Sequence, residues 1–160
     1  MNNKKGFLLA EETLKIILAV IVMGFLIYFL TALYFTKIND QKKVQAEQLL
    51  KTSGESIEMK INNLKKINPA ERQLVNPKGW SLFGFVNNKK PNSCLGKNCL
   101  CICEGVIDDL VFVKDRQIKE CDKDGTCLIV ENLKEFNSIE INKQWISFEE
   151  KDNLIYIREK

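Results

Sequence analysis

The sequence predicts an α+β protein in which a long N-terminal helix, transmembrane and then amphipathic, packs on a small antiparallel β-sheet stapled by disulfides. Three observations lead to this fold class. An apolar run without charges covers residues 16–35. Apolar residues then recur at helical spacing, and the rest of the chain alternates short β-type segments with turn residues and holds all six cysteines. The expected segments are a leader (1–6), a transmembrane helix (7–36), an extracytoplasmic amphipathic helix (37–67) and a cysteine-rich antiparallel β domain (68–160).

The apolar run is long enough to cross a membrane. Its 20 residues would span about 30 Å as a helix, which is the thickness of the hydrocarbon core of a bilayer. A buried core helix is one alternative, but such helices are usually shorter and apolar along one stripe only. A cleaved secretory signal is another, yet Tyr34, Phe35, Thr36 and Lys37 follow where small residues would be needed. We therefore expect a retained membrane span.

The segment KKGFLLAE, which ends four residues before the run, contains Gly6, Phe7 and Glu11. It resembles the processing site of type IV prepilins, in which a short basic leader ends in glycine and the mature chain begins with phenylalanine and has glutamate fifth. The resemblance covers roughly the first 35 residues. It implies a pilin-like fold, cleavage between Gly6 and Phe7 by prepilin peptidase, and methylation of the new amino group of Phe7.

The resemblance also implies that Glu11 acts in assembly. A carboxylate buried among packed helices is costly unless it is paired, and the freed N-terminal ammonium of a neighbouring subunit would be such a partner. However, Glu12 duplicates the acid, and Lys15 lies four residues after Glu11, at the spacing of an ion pair within one helix. The sequence leaves open whether Glu11 pairs with a neighbouring N-terminus or with Lys15.

The helical pattern continues beyond the span. One apolar stripe on a 3.6-residue period contains Ala46, Leu50, Ile57, Ile61 and Leu64. Gly54 interrupts it and predicts a bend or a break into two helices, while Asn68-Pro69 predicts its end. The stripe therefore predicts a face that packs on another element; a coiled-coil stalk is the alternative, although the stripe is short and irregular for heptads.

Short strands are expected in the rest of the chain, because these segments are rich in β-branched, aromatic or cysteine residues and are separated by turn clusters. The predicted strands are 81–86, 98–103, 110–113, 126–131, 138–141, 145–148 and 154–157. We expect the last two to form a hairpin across residues 150–153.

The cysteines indicate an oxidising compartment. Their even number in a small domain predicts a disulfide framework and hence an outward-facing C-terminal domain. The six are Cys94, Cys99, Cys101, Cys103, Cys121 and Cys127. The three in the CLCIC segment alternate and share one strand face, so bonds among themselves are geometrically poor. We expect Cys94 to pair with Cys99, and Cys101 and Cys103 to pair with Cys121 and Cys127 in an order that the sequence leaves open.

Other chemistries find less support in the sequence. A metal or iron–sulfur site would use the C-x-C-x-C run, but the chain has no C-x2-C knuckle and no histidine, and the thioredoxin-type C-x-x-C signature is missing as well. Residues 122–125 faintly resemble a calcium loop and are better explained as a hairpin turn. No catalytic constellation is evident, and the net charge of +3 is interspersed rather than blocked. We expect no enzymatic activity, no cofactor, no bound metal and no specific nucleic-acid partner.

Two functions from different classes follow from these observations. The first is a type IV pilin-like structural subunit that is cut after Gly6 and assembled through its N-terminal helix into a surface filament or pseudopilus. Its partners would be the membrane, prepilin peptidase and other pilin subunits. The chain would cross the cytoplasmic membrane once, with the N-terminus inside and the C-terminal domain outside. The alternative is an anchored, cysteine-rich surface-binding module that does not polymerise.

Overall fold

A computed structural model describes residues 4–52, 54–86, 89–105 and 113–160; the side chains of residues 4–11 and 113–115 lie outside the description. The chain forms two compact units, Met1–Asn39 and Asp40–Lys160. The helices are α1 (Lys4–Glu47), α2 (Ile57–Asn62) and α3 (Val113–Lys123), and the strands are β1 (Ala70–Leu74), β2 (Trp80–Phe85), β3 (Cys99–Glu104), β4 (Thr126–Ile129), β5 (Ile139–Glu140), β6 (Gln144–Lys151) and β7 (Leu154–Glu159).

The helical pattern breaks where the sequence predicted a break. After α1, the residues Gln48–Thr52 form one π-helical turn, and α2 begins at Ile57, two residues beyond the Gly54-Glu55 turn. Ser56 caps α2, because its hydroxyl oxygen accepts a hydrogen bond from the backbone N–H of Met59 at 3.3 Å. The cap satisfies one of the amide groups that a helix start leaves without a partner.

The second unit contains two small antiparallel sheets. The first has three strands in the order β1-β6-β7 and the second has four in the order β4-β3-β2-β5. The hairpin between β6 and β7 is confirmed: Lys151 pairs with Leu154, and Asp152 and Asn153 between them have φ angles of 51° and 60°. Two positive φ angles in a two-residue loop are the requirement of a type I′ turn, whose twist matches that of the flanking strands.

One apolar core draws on both sheets and on the helical residues of the second unit. The predicted stripe supplies Ala46, Leu50, Ile57 and Leu64, all buried, and the partly buried Ile61. The sheets supply Trp80 and Leu82 from β2, Leu100 and Ile102 from β3, and Ile146 and Phe148 from β6. The α+β class and the small antiparallel architecture predicted from the sequence are therefore confirmed, with two sheets in place of one.

Three details differ from the sequence-based expectation. β1 was not expected, since its sequence AERQL is polar; it is a strand because it pairs with β6, which places Ala70 and Leu74 in the core. Of the strand expected at 110–113, residues 110–112 lie outside the described residues, and Val113 begins α3. Residues 122–125 do not form a hairpin turn, because Asp122 and Lys123 end α3 and the chain turns directly from that helix into β4.

Candidate functional site

The apolar run forms part of α1 and is exposed on every side. Over one full helical turn, Leu26, Ile27, Tyr28 and Phe29 are between 50% and 74% exposed. A core helix of a soluble protein would bury the side chains on at least one of its faces. Among the described residues, this helix is long and apolar enough to cross a membrane. Its surface is suited to lipid or to other apolar helices rather than to water.

The hydroxyl groups in this helix are already satisfied within it. Thr31 Oγ1 donates to the carbonyl oxygen of Ile27 at 2.7 Å, and Thr36 Oγ1 donates to that of Ala32 at 3.0 Å. A hydroxyl that bonds the carbonyl four residues earlier needs no water, which removes most of the cost of placing it in lipid. Neither threonine therefore argues against a membrane position for the run.

The predicted processing residues lie at the start of α1. The backbone of Gly6, Phe7 and Glu11 is helical, but their side chains are outside the described residues. Glu12, the next residue after Glu11, and Lys15, one helical turn beyond Glu11, are exposed. The cleavage after Gly6, the methylation of Phe7 and the assembly contact of Glu11 therefore stay predictions.

The six cysteines form three buried disulfides on one face of β3. The bonds join Cys94 to Cys99, Cys101 to Cys127 and Cys103 to Cys121. Alternation explains the arrangement, because Leu100 and Ile102 point into the apolar core while the three β3 cysteines point to the opposite face. β3 is thus buried on both sides, and the sequence prediction that its cysteines bond elsewhere than to each other matches these pairs.

Each partner cysteine comes from a different element. Cys94 ends a single 3-10 turn (Asn92–Cys94), Cys127 stands directly opposite Cys101 on β4, and Cys121 lies on α3. On β2, Phe83 lies opposite Cys101 and Phe85 lies opposite Cys99. Both phenylalanine side chains pack against the disulfides. The disulfides therefore tie a turn, a strand and a helix to the centre of the four-stranded sheet.

Polar side chains hold two of the elements that carry cysteines. The carboxylate of Asp122 accepts hydrogen bonds from Asn92 Nδ2 at 3.0 Å and from the backbone N–H of Ser93 at 3.3 Å, which links α3 to the 3-10 turn. Gln117 is almost fully buried and donates through Nε2 to the carbonyl oxygen of Glu104 at 2.8 Å. Sequence reasoning missed Gln117, although its spacing of four residues from Cys121 is the signal of a shared helix face.

Gly125 is fixed by its closeness to the Cys103–Cys121 bond. A Cβ atom added there would lie 2.6 Å from the carbonyl oxygen of Cys121 and 2.8 Å from the Cβ of Cys103. Both neighbours are rigid, since one is backbone and the other is adjacent to a disulfide. Only glycine allows the chain to turn from α3 into β4 at this distance.

An exposed ion pair lies at the other end of the same sheet, next to the start of β3 and the end of β4. Lys97 Nζ donates to Glu131 Oε1 at 2.7 Å, and Asn98 Nδ2 donates to the Glu131 carbonyl oxygen at 2.9 Å. The hydrogen bond from Lys97, helped by its charge, lowers the pKa of Glu131, and the same bond raises the pKa of Lys97. Both side chains are more than half exposed, so the pair positions the ends of β3 and β4 more than it stabilises them.

Comparison with known proteins finds no matching family model, no similar curated protein and no similar solved structure. The function of the chain therefore has to be inferred from its own residues and geometry.

Proposed function

We propose that this chain is a type IV pilin-like structural subunit. It would enter the cytoplasmic membrane as a precursor, lose residues 1–6 by cleavage between Gly6 and Phe7, and assemble through α1 into a surface filament or pseudopilus. The observation that carries the proposal is the position of the KKGFLLAE segment, at the start of α1 and four residues ahead of its apolar run. A membrane anchor alone has no need of the glycine, phenylalanine and glutamate at these spacings.

The surface of α1 supports this function. An apolar helix that is exposed on all sides needs lipid around it before assembly. After assembly, the same helix of other subunits can replace the lipid. Both surroundings are apolar, so the quality of helix–helix packing determines which of the two is favoured. Near the end of the helical segment, Ala46, Leu49 and Leu50 are buried in the core of the second unit. The helix would thus connect a filament interior to a folded domain outside it.

The disulfides support the proposed topology. Three buried disulfides in one small domain are typical of proteins that fold in an oxidising space, which for a membrane-anchored chain is the side opposite the cytoplasm. The N-terminus would then remain inside. The lysines do not decide this orientation, because Lys4, Lys5 and Lys15 precede the apolar run and Lys37, Lys42 and Lys43 follow it closely.

The first test is the mass and N-terminal sequence of the chain extracted from cells that contain prepilin peptidase. We expect a mature chain that begins with a methylated Phe7. The Gly6→Val variant is expected to stay uncleaved, while Gly24→Val, a matched change in the same helix, is processed normally. An intact Met1 in the unmodified chain would refute the proposal.

The second test separates the two partners of Glu11. If an incoming N-terminus pairs with it, Glu11→Gln abolishes filaments that sediment at high speed, whereas Glu12→Gln and Lys15→Gln retain them. Equal loss of sedimenting filaments in Glu11→Gln and Lys15→Gln would instead indicate that Glu11 pairs with Lys15 in its own helix. A processed chain that never sediments in any variant would favour the anchored, non-polymerising module.

A further inference from the structure

The strand β1 lies at the edge of its sheet, in the order β1-β6-β7. Bonded and non-bonded residue pairs alternate along an antiparallel ladder, and the backbone N–H of Lys160 donates to the carbonyl oxygen of Trp145 at 3.0 Å. The odd-numbered residues of β6 therefore bond to β7, and the even-numbered residues bond to β1. Asn68 agrees with this pattern, because its side-chain amide bonds to both backbone groups of Glu150.

The same alternation determines which backbone groups of β1 point out of the sheet. Ala70, Arg72 and Leu74 stand opposite even-numbered residues of β6 and bond to that strand. The N–H and C=O groups of Glu71 and Gln73 therefore point away from β6, toward the outer edge. Such a row of outward backbone groups is a template on which another extended segment can pair.

Two neighbouring pockets lie along this edge, between β1 and the helical residues of the second unit. The first has a volume of about 290 Å³ and is lined by Met59, Ile67 and Glu71 among others; the second has a volume of about 250 Å³ and is lined by Leu49 and Gln73 among others. Met59 and Ile67 are 44% and 64% exposed. Every second side chain of a strand added to β1 would face these pockets. We call the two pockets and the strand edge beside them the β1 groove.

The charges at the β1 groove favour an acidic partner. Lys60 lines the first pocket and Arg72 lines the second. Among the described lining residues, Glu71 carries the only carboxylate, and this group is bonded to Lys160 at 2.8 and 3.0 Å. Burial lowers the pKa of Arg72, and the charge of Glu55 opposes this shift. Three cations thus face two carboxylates, so the groove has a cation in excess that an acidic side chain can pair with.

We propose that the β1 groove binds an extended peptide segment of a partner protein, with apolar side chains and a carboxylate on one face, by adding it as a fourth strand beside β1. Backbone hydrogen bonds to Glu71 and Gln73 supply affinity, and the two pockets select the side chains. This binding depends neither on cleavage after Gly6 nor on filament assembly, so it can fail or succeed independently of the proposed function.

The test uses the full chain in detergent micelles and the capped peptide acetyl-Thr-Val-Thr-Asp-Thr-Val-Thr-amide, whose valines and aspartate share one strand face. We expect the peptide to slow hydrogen exchange, measured by NMR, at the amides of Glu71 and Gln73. The amides of Ala70, Arg72 and Leu74, which already bond to β6, should change little. No slowing, or slowing along β4 instead, would overturn the proposal. Protection that grows with chain concentration without peptide would also overturn it, because a second copy would then occupy the groove.

Matched variants test the backbone and the charge separately, with binding of the fluorescently labelled peptide measured by anisotropy. Gln73→Pro removes the outward N–H and should weaken binding about 5-fold, whereas Gln73→Ala keeps this group and should bind nearly as well as the unaltered chain. Lys60→Glu should weaken binding of the aspartate peptide about 10-fold and favour the same peptide with lysine in place of aspartate. This reversal requires a folded groove, so it guards against a misfolded proline variant. Equal affinity of the two Gln73 variants, or an unchanged peptide preference in Lys60→Glu, would refute strand addition at this edge.

Discussion

The three disulfides are expected to differ in what they contribute to stability, in the order of the loops they close. The bonded residues are 26 positions apart for Cys101–Cys127, 18 for Cys103–Cys121 and 5 for Cys94–Cys99. The chain-entropy relation gives about 3.5, 3.2 and 2 kcal/mol at 25 °C for loops of these lengths. All six cysteines are at most 8% exposed, so replacement by alanine removes a similar buried surface in each case. Loop closure should therefore decide the ranking.

The assay is urea unfolding of three double alanine variants of the full chain in detergent micelles without reductant. The fluorescence of Trp80, which is 1% exposed, reports loss of the core. The variants without Cys101–Cys127 and without Cys94–Cys99 should differ by about 1.5 kcal/mol. With a urea m-value of about 2 kcal/mol/M, their midpoints should lie about 0.7 M apart. Equal midpoints, or a larger cost for losing Cys94–Cys99, would refute the reasoning from loop length.

The Cys103–Cys121 variant has an additional local readout. Of the described side chains on α3, only Gln117 and Cys121 are buried. Without the disulfide, the partly buried Ile118 would be the main apolar contact left between this helix and the cysteine cluster, so the amides of Val113–Lys123 should exchange hydrogen faster than in the other two variants. Unchanged exchange in this segment would mean that the Gln117 hydrogen bond holds the helix without the disulfide.

Three further outcomes test other parts of the structure. Phe25→Arg, in the middle of the apolar run, should oppose membrane insertion by about 3 kcal/mol and shift the chain to the carbonate-soluble fraction, whereas Lys37→Arg beyond the run should not. Gly125→Ala should destabilise the second unit by about 1–3 kcal/mol in urea because its Cβ would overlap rigid neighbours, while Gly54→Ala, with nothing within 4 Å, should be neutral or slightly stabilising. Glu131→Gln should return the pKa of its lysine partner toward the ordinary range, visible by NMR titration, without moving the unfolding midpoint. Recovery of Lys37→Arg in the carbonate-soluble fraction would contradict the membrane argument. A Gly54→Ala variant destabilised as much as Gly125→Ala would contradict the steric argument. An unchanged lysine pKa in Glu131→Gln would contradict the ion-pair argument.

Local patterns accounted for much of the fold. The apolar run, the helical stripe with its break at Gly54 and the hairpin at Asp152-Asn153 are each encoded within a few neighbouring residues, because period and turn chemistry act over short distances. The alternation of cysteine with leucine and isoleucine in β3 likewise predicted that its cysteines share one face. The structure has all of these features where the sequence places them.

Features that depend on distant partners could not be predicted in this way. The polar segment AERQL becomes β1 only because β6, more than 70 residues later, offers it an edge, and the side chain of Asn68 extends that pairing through two hydrogen bonds to the backbone of Glu150. α3 is a polar helix whose buried side is defined by Gln117 and Cys121 against β3. Its position therefore follows from a disulfide and a hydrogen bond rather than from hydrophobic periodicity.

The sequence by itself determined that the chain has a membrane-length helix and cysteines enough for three disulfides, since composition, spacing and period are local properties. Only the tertiary structure decided which cysteine meets which, that two sheets share one core, and that the three disulfides pack together in one buried cluster. These depend on the pairing of β3 with β2 and β4 and on the turn that brings Cys94 to it. Such contacts join residues that are far apart in the chain, and a local sequence pattern does not show which distant residues meet in space.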